Sequence, residues 1–107
     1  YWINHVAPED PAMQPFFAAY KEMWNDECKE FVNGVLGYDS VYWVADAISR
    51  AGSDDPKAIR DAMAKTKGFV GATGIITLDS NGDATKSAVV LVVKDGQFKL
   101  VDVVHPR

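Results

Sequence analysis

Two histidines, one cysteine and two adjacent carboxylate pairs are the side chains from which this sequence could build a reactive site. Cys28 would need a neighbouring base to become a nucleophile, and His5 and His105 lie far from it along the chain with no catalytic signature around them. It reads instead as a partly buried small hydrophobe. As the only cysteine it can form no internal disulfide, which excludes a disulfide-stapled mini-protein. Glu9-Asp10 and Asp54-Asp55 each stand just before a proline. Neighbouring residues do not face each other across a cleft, and Asp before Pro is how a helix is capped and opened. Asp79-Ser80-Asn81-Gly82-Asp83 resembles a calcium loop only in composition. It lacks the glycine at the sixth of twelve positions and the closing glutamate, so it reads as a solvated turn with no metal. Gly71-x-x-Gly74 precedes a strand rather than opening a helix, so it reads as a tight bend and not a phosphate loop. Ser40, Ser49, Ser53, Ser80 and Ser87 lack the Gly-x-Ser-x-Gly elbow. Nothing in these residues supports an enzyme, a cofactor or a metal.

The bulk properties narrow the partners. A net charge of -4 without a basic stripe argues against nucleic acid, and 48% apolar residues suit a globular core. The longest apolar run, Ala88 to Val93, is too short to span a bilayer. The chain shows no initiator Met and no signal segment, and begins on a strand-like Tyr1-Trp2-Ile3, which predicts a fragment.

The elements that would position any site follow from periodicity. Residues 1 to 6 read as a short strand or extended crossover. Met13, Phe16, Phe17, Tyr20 and Trp24 predict an amphipathic helix from Pro11 to about Asn25, capped by Asp10. Residues 25 to 33 read as a loop. A second helix should start between Asn33 and Gly37 and run to about Ala51, with Leu36, Val41, Val44, Ala45 and Ile48 as its inner stripe. Tyr38, Tyr42 and Trp43 broaden that stripe, so the helix is expected to pack on more than one side. Gly52 would end it. Asp55-Pro56 opens a third helix to about Thr66, with Ala58, Ile59, Ala62 and Met63 inward. Ile75 to Leu78 reads as a strand. Ala88 to Val93 does not alternate and so suits a strand covered on both faces. Asp95-Gly96 signals a tight hairpin into Phe98 to Val104.

Several segments in this order carry a family resemblance. They are Asn4-His-x-x-Pro-Glu-Asp-Pro11, the helix Gly37-Tyr-Asp-Ser-Val-Tyr-Trp-Val-Ala-Asp-Ala-Ile48 with Ser49-Arg-Ala-Gly52, Asp55-Pro-Lys-Ala-Ile-Arg-Asp-Ala62, and Gly71-Ala-Thr-Gly-Ile-Ile-Thr-Leu-Asp79. The succession resembles the C-terminal part of a type I periplasmic binding protein of the branched-chain amino acid (Leu/Ile/Val) receptor group of ABC transporters. The resemblance is densest from Leu36 to Leu100.

The resemblance implies an incomplete α/β fold of that type, with three helices plus a few strands including a C-terminal β-hairpin. Residues 1–10 would be a hinge crossover, 11–80 elements of the N-terminal lobe, and 86–104 a hairpin of the C-terminal lobe. It implies a receptor for a branched-chain or related amino acid or small carboxylate, closing its lobes on the ligand in the cleft and delivering it to an ABC permease. The parent would be periplasmic or extracellular, free or lipid-anchored. The segments that grip the ligand's α-carboxylate and α-ammonium groups lie outside these residues. Asn33, Gly34 and Tyr38, at the entry to the second helix, would sit nearest the ligand. From the residues alone Tyr38 reads first as a core aromatic of the helix, and Asp39 as a first-turn carboxylate favoured by the helix dipole. Cys28 and Asn33 depart from the family's usual spacer, so the ligand is left open. Uncovered apolar surface would drive self-association. The same fold serves as an amide or urea sensor, and a free-standing α+β interaction domain is the remaining alternative.

Overall fold

The computed structural model describes residues 1–107. Strand β1 (Trp2–Asn4) leads into the extended segment 5–10, where the Asp10 carboxylate accepts from the Ala12 N–H at 2.9 Å. That cap opens a 3-10 turn, Pro11–Met13, which runs into helix α1 (Gln14–Trp24). Pro15 falls in the first turn, where its missing N–H has no partner to lose. Asn25, in the left-handed region at φ 50°, ends the helix.

Helix α2 (Phe31–Ala51) begins earlier than the sequence suggested, within the stretch read as a loop. No side chain caps it, so it carries no local start signal. Tertiary packing sets its first turn: the Phe31 ring lies 6.2 Å from Phe17 of α1. Gly52 ends it at φ +61°, its N–H returning to the Ile48 carbonyl at 3.0 Å, as the sequence predicted. Helix α3 (Pro56–Ala64) is capped by Asp55 through the Ala58 N–H at 2.9 Å. It stops short of Thr66, which turns inward and becomes a buried junction. There the Thr66 hydroxyl donates to the Met63 carbonyl and accepts from Trp43 Nε1 at 2.8 Å and from Arg50 at 3.1 Å.

The strands form two antiparallel sheets of three. One has the order β2 (Phe69–Gly71), β3 (Gly74–Leu78), β4 (Ala84–Thr85); the other has the order β1, β5 (Ala88–Lys94), β6 (Gln97–Val104). Gly74, at φ +108°, closes the tight bend between β2 and β3. Between β5 and β6, Asp95 and Gly96 both take positive φ, 51° and 72°, the twist a two-residue hairpin needs. In the turn 79–83 the Asp79 carboxylate accepts from the Asn81 and Asp83 N–H groups, and so serves the turn itself. In β6 a bulge places Val101 outside the register, and the adjacent Leu100 N–H donates to Glu9 of the 5–10 segment at 2.7 Å.

The core is small. Val6, Met13, Phe16 and Val35 form one cluster, joined by Phe17, Tyr20, Cys28, Phe31, Tyr38 and Ala72, while Ala7, Val89 and Leu91 form a second. One expectation fails here. Most of the predicted inner stripe of α2 faces outward: Val41 is 70% exposed, and Val44, Ala45 and Ile48 are open as well, while Leu36 is half-buried. The buried face is Val35, Asp39 and Ala47, with Trp43 half-buried between them. Strand β5 buries Val89 and Leu91 on one face and half-buries Ala88, Val90 and Val92 on the other, with Val93 exposed near its end. The reversal in α2 has one cause: the helix carries two apolar faces, and the chain supplies partners for one. The accessible surface, 7598 Å², compares with about 5,900 Å² for a monomer of this mass. The radius of gyration, 15.5 Å, exceeds the roughly 13 Å of a compact domain this long.

Candidate functional site

The first turn of α2 meets the β1–β5–β6 sheet at a groove of about 290 Å³. Trp2 and Asn4 of β1 and Phe98 of β6 form one wall, and Lys29 to Asn33 the other. No side chain caps α2, and the helix dipole adds partial positive charge at this end. Glu30 stands in the same wall, its carboxylate accepting from Asn33 Nδ2 at 3.4 Å. The groove thus sets apolar rings, a carboxylate and a lysine side by side.

The three residues singled out from sequence do not converge. Asn33 is exposed and lines this groove. Gly34 faces the core: a Cβ there would stand 3.0 Å from Phe16 Cζ and 3.1 Å from Cys28 Sγ, so the glycine lets α1 approach α2. Tyr38, one turn further on, packs edge-on against Phe16 at 5.5 Å and lies 4.8 Å from the Tyr42 ring. Hydrogen bonding with Tyr42 holds the Tyr38 hydroxyl above its ordinary pKa, followed by burial and by the Tyr42 and Asp39 charges. Tyr38 and Tyr42 line a second, more apolar pocket of about 410 Å³, closed by Ala12, Pro15 and the strand Phe69–Gly71. Cys28 is half-buried, and burial, then the Glu30 charge, raises its thiol pKa.

Asp39 is where the sequence reading missed most. With α2 starting at Phe31, it lies more than two turns inside the helix, buried, and not in the first turn. Its Oδ1 accepts from the Ala72 N–H at 2.8 Å, and its Oδ2 from the Thr73 N–H at 2.8 Å and the Thr73 hydroxyl at 2.6 Å. Gly71 is required beside it, since a Cβ there would fall 2.5 Å from Asp39 Oδ2. The carboxylate therefore fastens the β2–β3 bend onto α2. The signal available in sequence was one charge on the same helical face as Val35, Trp43 and Ala47, four residues apart.

Comparison with known proteins identifies the frame to which these parts belong. The family model described as periplasmic binding protein matches residues 1–97. The chain belongs to the periplasmic binding protein family. A leucine-binding protein, LivK, from Thermotoga maritima shares 40% identity over 97% of this chain, with a TM-score of 0.78. The branched-chain amino acid substrate-binding protein LivJ from Streptococcus pneumoniae, solved with isoleucine, shares 31% identity over 97%, with a TM-score of 0.79. A solute-binding protein from R. palustris in complex with benzoate has the same fold at 18% identity and a TM-score of 0.76. The chain spans about 30% of the length of each of these structures. The match fits the architecture above: three helices and two small sheets form part of the type I periplasmic-binding-protein fold, and its apolar faces remain open where this chain has no partner for them.

Proposed function

We propose that this chain forms one wall of the ligand cleft of a solute-binding receptor that supplies an ABC permease with a branched-chain or similar amino acid. The observation that carries the reading is the groove at the start of α2, set between that helix and the β1–β5–β6 sheet. Its chemistry suits an amino acid. Trp2, Phe31 and Phe98 offer apolar surface to a side chain, while the α-carboxylate and α-ammonium are left to the parts of the receptor outside these residues. Asn33 stands at the mouth as a polar contact. The identity to LivK and LivJ, whose ligands are leucine and isoleucine, points to the same class of solute.

In this reading segment 5–10 and segment 86–87 are two crossings between lobes, and the ligand favours the closed arrangement by its contacts with both. The receptor works in the periplasm or outside the cell. The chain taken alone self-associates through its open apolar faces, since its whole surface exceeds that of a monomer of this mass by about 1,700 Å².

The test exchanges these residues for the matching third of the Thermotoga LivK and titrates the chimera with leucine by calorimetry. The chimera is expected to bind leucine, and Asn33→Ala to weaken binding about tenfold, the equivalent of roughly 1.4 kcal/mol. A folded chimera that does not bind leucine, or one indifferent to Asn33→Ala, contradicts the proposal.

A further inference from the structure

Segment 5–10 lies over one face of the β1–β5–β6 sheet, where Ala7 is buried against Val89 and Leu91 of β5. Directly opposed residues of an antiparallel ladder point to the same side. The pairs Trp2–Leu91, Leu91–Leu100 and Val93–Phe98 therefore put Trp2, Phe98 and Leu100 on the face that Ala7 covers. The groove at the start of α2 opens on that face, with Trp2 and Phe98 in its wall.

Strand β6, which carries Phe98, is loosely held. It is an edge strand, exposed along its whole length, and it contributes no residue to either core cluster. Beyond its ladder with β5, one hydrogen bond joins it to the rest of the molecule: at the bulge, the Leu100 N–H donates to Glu9 Oε1 at 2.7 Å. Glu9 Oε2 also stands 4.0 Å from Lys99 Nζ, but both side chains are about half exposed and such a pair contributes little. Glu9 itself does not line the groove. We propose that Glu9 is a positioning residue for the solute: through the Leu100 N–H it holds β6 under segment 5–10 and so keeps Phe98 in its place in the groove wall. The inference rests on the reading of that groove as part of the ligand cleft. The acceptor oxygen matters here and the charge does not.

Calorimetric titration of the LivK chimera with leucine tests it, using Glu9→Ala, Glu9→Gln, Phe98→Ala and the Glu9→Ala, Phe98→Ala double variant. The Glu9 side chain is 43% exposed and belongs to neither core cluster, so its removal leaves the fold intact. Glu9→Ala is expected to weaken leucine binding about fivefold, the worth of one hydrogen bond. Glu9→Gln keeps an acceptor oxygen and should bind like the parent, as should Lys99→Met. Phe98→Ala should weaken binding by itself, and adding Glu9→Ala should then cost almost nothing more, because Glu9 acts through that ring. Strictly additive losses, a silent Glu9→Ala, or a Glu9→Gln as weak as Glu9→Ala overturn the proposal. Solution NMR of the 107-residue chain reads the same contact without leucine. In Glu9→Ala the Leu100 amide should move upfield and the Phe98 ring signals should move with it, and in Glu9→Gln both should stay near the parent. An unsubstituted chimera blind to leucine would refute the receptor reading alone; an unmoved Phe98 ring in Glu9→Ala overturns the positioning role whatever the chimera binds.

Discussion

Replacing Asp39 should cost more than any other single polar change in the chain. Its carboxylate accepts three hydrogen bonds between 2.6 and 2.8 Å, all from the β2–β3 bend, two of them buried and the third part-buried. A bond to a charged group contributes about 1.5–3 kcal/mol, and removing one partner of a buried polar cluster costs about 3–5 kcal/mol because the other groups are stranded. Asp39→Ala strands two N–H groups and a hydroxyl, so a loss of about 4 kcal/mol is expected. Asp39→Asn keeps one oxygen but turns an NH2 toward donors, for a loss of about 2–3 kcal/mol. Thr73→Val removes a single bond and should cost about 1–2 kcal/mol. Domains of this size hold about 5–15 kcal/mol in total, so Asp39→Ala brings the chain close to unfolding. Urea titration followed by tryptophan fluorescence is the assay, because Trp43 donates to Thr66 at 2.8 Å and loses that contact on unfolding. An Asp39→Ala chain within about 1 kcal/mol of the parent would refute the reasoning. So would Thr73→Val proving worse than Asp39→Asn.

Three further outcomes concern Gly71 and Cys28. Gly71→Ala should destabilise by about 2–3 kcal/mol in the same titration, because its Cβ would displace Asp39 Oδ2 from a position only 2.5 Å away. Cys28 should be alkylated several-fold more slowly in the folded chain than in urea at pH 8, and Glu30→Gln should speed the folded reaction, since burial and then Glu30 raise its pKa. The raised value also sets a pH dependence. The unfolded thiol ionises first, so this contribution to stability is intact below about pH 8.5 and is lost as pH rises toward the folded value. A Cys28→Ser chain should lack that alkaline loss.

Local signals in the sequence were easy to read. Asp10 and Asp55 cap the helices they precede, Gly52 ends α2, and Asp95-Gly96 turns the last hairpin, because each acts through atoms two to four residues away. The start of α2 was hidden because Phe31 is fixed by Phe17 from another helix, with no cap of its own. Strands β2 and β4 escaped for a similar reason: two or three residues carry no period, and their pairing with β3 defines them. The face of α2 could not be chosen from hydrophobicity, since both of its faces are apolar and the partners decide which is covered. Asp39 shows the limit most clearly. From sequence it reads as a first-turn carboxylate, and only the β2–β3 bend, more than 30 residues later, explains why a carboxylate is buried inside α2. Asn33, named from the sequence at the entry to α2, lines the groove there. The groove itself was not legible, because Trp2 and Phe98 come from opposite ends of the chain.

The proposed place of these 107 residues in a two-lobe receptor requires their open apolar faces to be covered by something beyond themselves. Native mass spectrometry of the purified chain, over a range of concentrations, tests it most directly. The account predicts a dimer or higher species, or a second polypeptide retained on the open face of α2, where Val41, Val44 and Ile48 lie exposed. A folded monomer at every concentration, carrying no other chain, would contradict it, because the open faces would then need no cover.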